Sequence, residues 1–294
     1  MKKKIVITGI SSAIIKKMTE QFDLSKYDIV GITRNLSNVS LSSIKIIKGD
    51  LLNITDYSTL LNDCYMIIHG AAITHSRKEK EYFKINLDAT KKLVDAAKKY
   101  NVERFIFVSS NTAGKTSGTY GLTKFLAENY IKKQCDNWII FRISEVYGGN
   151  KGEGIEKLLS NILTNSIVLC PTNVPSKLCP IHIKDVVQQM LHHTFLRERL
   201  NITLMINGPK AYSYSEIIDL GKKRSKRKVK VIYLSKRFMF FVKWIVKKCP
   251  FNIGIVPDQV DRLYSVKDIR PNENTLIKLE DYIDKLLTTK PKLH

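Results

Sequence analysis

Two side chains four residues apart, Tyr120 and Lys124, carry the chemistry that the sequence indicates most strongly. On a helix this spacing places the phenol and the ammonium on one face. A phenol has an ordinary pKa of about 10, and a nearby ammonium lowers it because it favours the phenolate. Ser109 and Ser110 precede the pair, and a serine hydroxyl can hydrogen-bond the same substrate oxygen. These residues predict proton exchange with an alcohol or a ketone.

A second candidate site follows the first apolar segment of the chain. Its residues are Gly9, Ser11, Ser12, Ala13 and Ile14. A strand, a tight turn and a helix N-terminus together offer backbone N–H groups and a positive dipole end to a pyrophosphate. Gly9 suits the turn, but Ile15 stands where dinucleotide-binding loops have a glycine for helix–strand packing. The alternative is an ordinary strand-to-helix turn.

Arg34 comes directly after the second apolar segment. At this point of a dinucleotide-binding fold an acidic residue binds the ribose 2′-hydroxyl of NAD, whereas an arginine accommodates the 2′-phosphate of NADP. No acidic residue accompanies Arg34 between Thr33 and Asn35. The cofactor is therefore expected to be NAD or NADP, with NADP favoured; a solvated surface arginine is the alternative.

Short apolar segments and helix-period segments alternate through the first half of the chain. The apolar segments span residues 5–8, 29–33, 44–47, 65–69, 104–109 and 138–143. They are too short for helices, and their Ile, Val and Phe content is typical of buried parallel strands. The alternation predicts an α/β fold with a doubly wound parallel sheet of the Rossmann-like type, which binds ligands at the carboxyl ends of its strands.

The pattern becomes irregular after Gly148-Gly149-Asn150. We expect residues 1–148 and about 177–208 to form the dinucleotide-binding domain. Residues 149–176 and about 209–294 are expected to form a smaller, C-terminal substrate lobe. Within that lobe, residues 221–248 contain twelve lysines and arginines and no acidic residue.

The 294-residue chain has an ordinary globular composition, with 44% hydrophobic and 26% charged residues. Its formal net charge of +22 favours a polyanionic partner such as a phosphorylated substrate, a membrane surface or nucleic acid. The five cysteines form no Cys-x-x-Cys pair and no metal-binding spacing, so no metal site is expected. Such scattered thiols suit the cytoplasm, and no apolar run approaches the ~20 residues of a membrane span.

Several further motifs occur in a fixed order along the chain. They are Thr8-Gly9, Gly49-Asp50-Leu51, His69-Gly70-Ala71-Ala72, Asn86, Ser109-Ser110, Tyr120-x-x-x-Lys124, Arg142-x-x-x-Val146-Tyr147-Gly148 and Pro180-Ile181-His182-Ile183-Lys184-Asp185-Val186. In this order they resemble the extended short-chain dehydrogenase/reductases, also called the NAD-dependent epimerase/dehydratase family. The resemblance covers nearly the whole chain, most securely residues 5–187.

The resemblance implies a role for each matching residue. Tyr120 is the catalytic acid/base, Lys124 tunes it and binds the nicotinamide ribose, and Ser110 polarises the substrate oxygen. The remaining implied residues are Asp50 and Leu51 near the adenine, Ala71, Ala72 and Ile143 along the cofactor cleft, Asn111 beside the substrate, and Arg262 at the substrate diphosphate. His69 and His182 are expected to be structural.

The resemblance also implies a nucleotide-diphosphate sugar as substrate. Family dehydratases have an acidic pair beside the catalytic Ser or Thr, whereas Asn111 and Thr112 occupy those positions here. We therefore expect epimerisation at sugar carbon 4 in the synthesis of surface-polysaccharide precursors. One alternative is an NADPH-dependent 4-keto-sugar reductase. The other is a non-catalytic, nucleic-acid-binding or scaffold protein, which would leave the presence of Ser110, Tyr120 and Lys124 unexplained.

Two expectations concern partners. The family commonly forms homodimers through paired helices. The segment around Phe238, Phe241 and Trp244 mixes aromatic residues with lysines, which suits either a core-facing helix of the small lobe or a helix lying on an anionic membrane surface. In the second case the cytoplasmic protein is peripheral at the inner membrane face. Nucleic acid is the less favoured polyanion.

Overall fold

The computed structural model describes residues 1–38, 43–149, 152, 154–248 and 256–289. Each of the six predicted apolar segments forms a strand. In chain order the elements are β1 (Lys3–Thr8), α1 (Ala13–Thr19), β2 (Tyr27–Thr33), β3 (Lys45–Lys48), β4 (Cys64–His69), α2 (Glu79–Tyr82), a π-helical segment (Phe83–Asp88), α3 (Ala89–Lys99), β5 (Arg104–Ser110), α4 (Gly118–Gln134), β6 (Trp138–Ile143), β7 (Val146–Tyr147), α5 (Gly154–Thr164), β8 (Ile167–Pro171), β9 (Ile181–His182), α6 (Ile183–Thr194), β10 (Ile202–Ile206), α7 (Tyr214–Ser225), β11 (Lys230–Leu234), α8 (Lys236–Lys248), α9 (Pro257–Leu263) and α10 (Leu279–Thr289).

Seven strands form the main sheet, in the order β10-β6-β5-β4-β1-β2-β3. The pairs of β1 with β2 and β4, of β2 with β3, and of β4 with β5 are parallel. The last residue of β1, Thr8, pairs with Ile32 on one side and with His69 on the other. The chain moves outwards from β1 in both directions, so the switch point where such sheets bind ligands lies at the end of β1. The predicted doubly wound α/β fold is confirmed.

The sheet is buried because its central strands are apolar on both faces. Ile5, Val6 and Ile7 of β1 and Ile67 and Ile68 of β4 are fully buried. Parallel strands covered by helices on both sides have this continuous apolar pattern rather than an alternating one. The burial fixes the strand ends, and the polar loops that follow them, in a rigid frame.

The chain divides into two compact units. One contains residues 1–142 and 187–204, and the other residues 143–186 and 205–294. The sequence predicts domain boundaries near 148, 177 and 208, and the compact units divide the chain at 142/143, 186/187 and 204/205. That unit contains the parallel pairs β7–β9 and β8–β11, and its own core includes Tyr147, Leu159 and Ile217. In the described part of the chain, no helix is both long and apolar enough to cross a membrane.

Helix α4 turns a partly polar face toward the protein interior. Its buried residues are Tyr120, Gly121, Thr123, Lys124, Ala127, Glu128 and Ile131. The larger apolar residues of the same helix, such as Leu122 and Phe125, are only partly buried. Because polar groups are costly to bury without partners, this orientation indicates that the buried polar residues have specific contacts.

Candidate active site

The turn between β1 and α1 is built around Gly9, whose φ of +73° lies in the left-handed region. Ser12 N–H donates to Gly9 O at 2.9 Å and closes the turn. Ser12 Oγ then caps α1 by accepting a hydrogen bond from Ile15 N at 3.2 Å. Ala13 and Ile14 occupy the first helical turn, where a helix supplies no carbonyl partner for the N–H groups. This end of α1 has the donors and the dipole that suit a pyrophosphate.

Ile15 and Gly70 share the space between α1 and the end of β4. Ile15 is 1% exposed, and a Cβ atom on Gly70 would lie 2.6 Å from Ile15 Cγ1. A Cβ atom on Gly9 would lie 2.5 Å from Ala71 N, so the turn also packs directly on the backbone after β4. Position 15 carries an isoleucine instead of a glycine, and Gly70, on the opposite side of the contact, leaves the space that this larger side chain needs. Ile15 is enclosed in the helix–strand interface.

The residues predicted for the adenosine end come together at the ends of β2 and β3. Gly49 N–H donates to Thr33 O at 2.9 Å, which joins the loop after β3 to the end of β2. Asp50 Oδ1 accepts a hydrogen bond from Leu52 N at 3.0 Å, and Leu51 is half-buried. Arg34 is exposed at the same edge of the sheet. An exposed cation here is available to an anionic group on the ribose.

Tyr120 lies in the first turn of α4, which begins at Gly118 just after the loop that follows β5. Its ring is 8% exposed and makes an edge-to-face contact with buried Tyr82, with the ring centroids 6.3 Å apart. Ser110 ends β5 and is half-buried; its Oγ lies 2.9 Å from Thr112 Oγ1. Lys124 is the next buried residue of charged type on the same face of α4, one helical turn further on.

Lys124 is 2% exposed and faces the inside of the first unit. Its Nζ donates to Val108 O at 2.6 Å and lies 4.0 Å from the centroid of the Phe107 ring. Burial lowers the pKa of Lys124 to about 7, while the nearby Glu128 carboxylate opposes this shift. A lysine with a pKa close to neutral gains and loses a proton easily, which suits an exchange partner for a phenol.

Glu128, which sequence reasoning missed, is fully buried one further turn along α4. Its carboxylate accepts a hydrogen bond from Ser109 Oγ at 2.6 Å and pairs with Arg142, whose Nη2 lies 2.6 Å from Oε2. Glu128 thereby ties α4 to the end of β5 and to β6. The repeat of polar residues at positions 120, 124 and 128 was the signal that could have identified it.

His69 lies at the centre of a buried chain of hydrogen bonds. Its Nδ1 lies 2.6 Å from Thr8 Oγ1, which accepts from Ala71 N, and its Nε2 lies 2.8 Å from Thr90 Oγ1, which donates to Asn86 O. Because Thr90 Oγ1 uses its proton toward Asn86 O, it accepts from Nε2–H of His69, and in a neutral ring Nδ1 then accepts from Thr8 Oγ1. Burial, aided by Lys124, lowers the pKa of His69 to about 3. The ring is therefore a structural link between β1, β4 and the helix that carries Asn86.

Asn86 and Asn111 hold polar groups at the same edge of the sheet. Asn86 lies in the π-helical segment, a type of irregularity that often occurs at functional sites. Its side chain bonds both the N–H and the carbonyl of Ile73, which fixes the loop after β4. Asn111, directly after β5, is 7% exposed, and its Nδ2 has no hydrogen-bond partner in the described part of the chain. A buried, unpaired amide is a candidate ligand donor.

Two residues predicted for the site belong to the second unit. Ile143 ends β6 and is buried. Arg262 lies in α9, and its Nε is 2.9 Å from Asp258 Oδ2 one turn earlier. The Asp258 carboxylate balances part of the charge of this guanidinium. His182, also in this unit, packs against Tyr147 with the ring centroids 5.3 Å apart.

No cluster of three or more potential metal-ligating side chains occurs within residues that the structure describes. The candidate site residues described above lie around the ends of β1, β4 and β5. The turn at Gly9, the unpaired amide of Asn111 and the buried Tyr120–Lys124 pair fit an extended dinucleotide beside a substrate oxygen.

Comparison with known proteins identifies a family whose sequence model matches most of this chain. The family model described as "NAD dependent epimerase/dehydratase family" matches residues 5–199. The mitochondrial NADH-ubiquinone oxidoreductase 40 kDa subunit of Neurospora crassa is 20% identical over 236 residues, which are 80% of this chain but only 62% of that relative's length.

Two solved structures share the fold at low sequence identity. MoeE5 in complex with UDP-glucuronic acid and NAD has a TM-score of 0.71 and 19% identity, with 95% of this chain and 96% of that chain covered. UDP-glucuronic acid 4-epimerase from Bacillus cereus, in complex with UDP-glucuronic acid and NAD, has a TM-score of 0.68 and 20% identity, with 96% and 99% covered. The family match includes the turn at Gly9, Ser110, Tyr120 and Lys124, and the chain therefore belongs to the NAD-dependent epimerase/dehydratase family.

Proposed function

We propose that this protein is an NAD(P)-dependent epimerase of nucleotide-diphosphate sugars that acts at sugar carbon 4. The observation that carries the proposal is the burial of Tyr120 and Lys124 on one face of α4, directly after the strand that ends in Ser110. Because β1, β4 and β5 are parallel, these side chains share an edge of the sheet with the phosphate turn at Gly9.

The cofactor would lie across this edge. The N–H groups of Ala13 and Ile14 would bind its pyrophosphate, while Arg34, Asp50 and Leu51 would contact its adenosine half. Ala71, Ala72 and Ile143 would line the cleft toward the nicotinamide. When bound, the nicotinamide supplies reversible hydride transfer at the sugar carbon.

Tyr120 would remove the proton of the sugar hydroxyl as the alcohol becomes a ketone, and would return it when the opposite face is reduced. Ser110 would donate a hydrogen bond to the same oxygen, and Lys124 would supply the charge that keeps the phenolate accessible. Asn111 would bind a substrate acceptor group through its unpaired Nδ2.

The substrate diphosphate would be bound by the second unit, where Arg262 is the predicted contact. The side chains of Asn111 and Thr112 include no carboxylate that could act as a base and remove a proton from the neighbouring sugar carbon. Epimerisation rather than dehydration is therefore proposed. A place in the synthesis of surface-polysaccharide precursors stays a prediction from the family resemblance.

The decisive experiment compares Tyr120→Phe with Tyr130→Phe. Tyr130 is the matched control because it lies on the same helix and its hydroxyl donates to Asp95 Oδ1 at 2.6 Å. Each variant is incubated with a panel of UDP- and dTDP-hexoses, and C4 epimers are separated by chromatography. We expect Tyr120→Phe to lower kcat by at least about 100-fold while nucleotide binding is retained, and Tyr130→Phe to behave like the wild type. Full turnover by Tyr120→Phe would contradict the proposal.

Arg34 favours the alternative of an NADPH-dependent 4-keto-sugar reductase, because the exposed guanidinium suits a 2′-phosphate. The nucleotide released from the purified, denatured protein separates the two functions. Retained NAD supports the epimerase, which keeps its cofactor through turnover. A protein that binds only added NADPH and consumes it in stoichiometry with a keto-sugar is a reductase.

A homodimer is part of the same proposal. Leu122 and Phe125 face outwards on α4 and are only partly buried, which leaves an apolar strip for a second copy of the helix. Sedimentation velocity of the wild type and of Leu122→Glu would test it. The proposal predicts a dimer for the first and a monomer for the second; a monomeric wild type would refute it.

A further inference from the structure

Helix α8 packs on the rest of the second unit through a narrow stripe of side chains. Met239, Val242 and Lys243 are partly buried and Val246 is buried. Lys243 forms an ion pair with Asp261 of α9, which anchors the helix. The core-facing alternative therefore accounts for this stripe of α8 and leaves the rest of the helix surface open.

The remainder of α8 exposes large apolar side chains. Phe238, Phe241 and Trp244 are 48%, 54% and 55% exposed, and Ile245 is exposed beside them. Phe241 and Trp244 stack with ring centroids 6.2 Å apart. Exposed aromatic residues grouped on one side of a helix mark an interaction surface rather than a random scatter of apolar residues.

Cations surround this apolar surface. Lys236, Arg237, Lys247 and Lys248 of α8 are exposed, and Lys248 Nζ lies 4.3 Å from the centroid of the Trp244 ring. No acidic residue occurs anywhere in residues 221–248. An apolar strip with aromatic residues and flanking lysines is the pattern of helices that lie in a membrane interface.

The two-stranded sheet of β8 and β11 also exposes apolar side chains of this unit. Ile167 and Leu169 of β8 are exposed, as are Ile232 and Tyr233 of β11, and Ile232 pairs with Leu169. β11 is followed by α8 after a single residue, Ser235. Apolar side chains are therefore exposed on both elements that Ser235 joins.

We propose that the exposed face of α8 docks on the surface of an anionic lipid bilayer, with its aromatic residues in the lipid boundary and its cations on the headgroups. A second copy of the chain is less suited to this face, since a two-fold contact would bring Arg237 and Lys248 against like charges. Nucleic acid would use the cations but would leave Phe238 and Ile245 exposed. A bilayer satisfies both sets of side chains.

The test measures binding of the full chain to vesicles by flotation, at 50 and 500 mM salt. The vesicles contain either phosphatidylcholine alone or phosphatidylcholine with phosphatidylglycerol. We expect binding to the anionic vesicles at low salt only. Phe241→Ser/Trp244→Ser should weaken it at least tenfold, and Arg237→Gln/Lys248→Gln about 25-fold, since each cation near an anionic surface contributes about fivefold.

Val266→Ser/Leu276→Ser is the matched control, because these apolar residues of the same unit are 78% and 73% exposed but lie outside α8. It should bind like the wild type. The chain has two tryptophans, and Trp138 is 9% exposed, so a Trp138→Phe variant reports on Trp244 alone. Its emission should shift to the blue on anionic vesicles.

Several results would overturn the inference. They are no binding to anionic vesicles at low salt, equal binding by Phe241→Ser/Trp244→Ser with its fold intact by circular dichroism, or an unshifted Trp244 emission. A wild-type dimer that Phe241→Ser/Trp244→Ser dissociates would assign the face to a second copy. Retention of an oligonucleotide without vesicle binding would assign it to nucleic acid.

Discussion

The packing of Ile15 against Gly70 leads to a prediction whose size follows from the geometry. Ile15→Ala removes buried carbons from a 1% exposed side chain and should lower the free energy of unfolding by about 3 kcal/mol. Gly70→Ala places a methyl group 2.6 Å from Ile15 Cγ1 and 2.9 Å from Cδ1. Such overpacking should cost about 2 kcal/mol. The φ of Gly70 is not positive, so the cost comes from the contact and not from the backbone.

In the double variant the new methyl group enters the space that the shortened side chain leaves. The clash is relieved and part of the cavity is filled, so the double variant should cost about 3 kcal/mol rather than the sum of about 5. The expected coupling of about 2 kcal/mol lies within the range for side chains that share a cavity. Urea unfolding of the four proteins, followed by circular dichroism, measures it.

Ile140→Ala provides the control, because β6 is two strands from β4, about 10 Å away, and its cost should add to that of Gly70→Ala. Additivity of Ile15→Ala and Gly70→Ala within about 0.4 kcal/mol would refute the reasoning. Gly70 would then not substitute for the glycine that is absent at position 15.

Three further predictions follow from single contacts. Because the folded protein keeps His69 neutral, the unfolded state binds more protons than the folded state between pH 3 and 6.5. The free energy of unfolding should therefore fall as the pH drops below about 6.5, by up to about 1.4 kcal/mol per pH unit. In urea unfolding at several pH values, this pH dependence should be smaller by one proton for His69→Asn than for His192→Asn, which changes an exposed histidine. Glu128→Gln should lower the free energy of unfolding by about 2–3 kcal/mol, because it weakens the buried ion pair with Arg142. Glu20→Gln, which changes a surface ion pair, should lower it by under about 0.5 kcal/mol in the same assay. Equal losses would contradict a structural role for Glu128. Arg34→Ser should shift the ratio of NADP to NAD affinity at least about tenfold toward NAD by fluorescence titration, and an unchanged ratio would exclude contact with a 2′-phosphate.

The strands of the main sheet could be predicted from the sequence because each one is marked by a local pattern of residues. Each strand is a short, continuous apolar run, and burial on both faces makes that pattern readable without a partner. Tyr120 and Lys124 were accessible for a similar reason, since helical geometry alone places them on one face. The identity of Glu128 as a member of that face needed only one further repeat of the same spacing.

Other features depend on contacts between residues distant in the chain. The sequence shows a glycine missing at position 15, but only the packing of α1 on the end of β4 shows Gly70 supplying the space. Burial keeps His69 neutral, and its ring nitrogens bond threonines that lie 61 and 21 residues away. The outward turn of Phe241 and Trp244 is likewise decided by which stripe of α8 meets α9. Sequence by itself determined the periodic elements and the shared helix face of Tyr120 and Lys124, whereas the packing of those elements decided which polar groups are buried, which are paired and which are exposed.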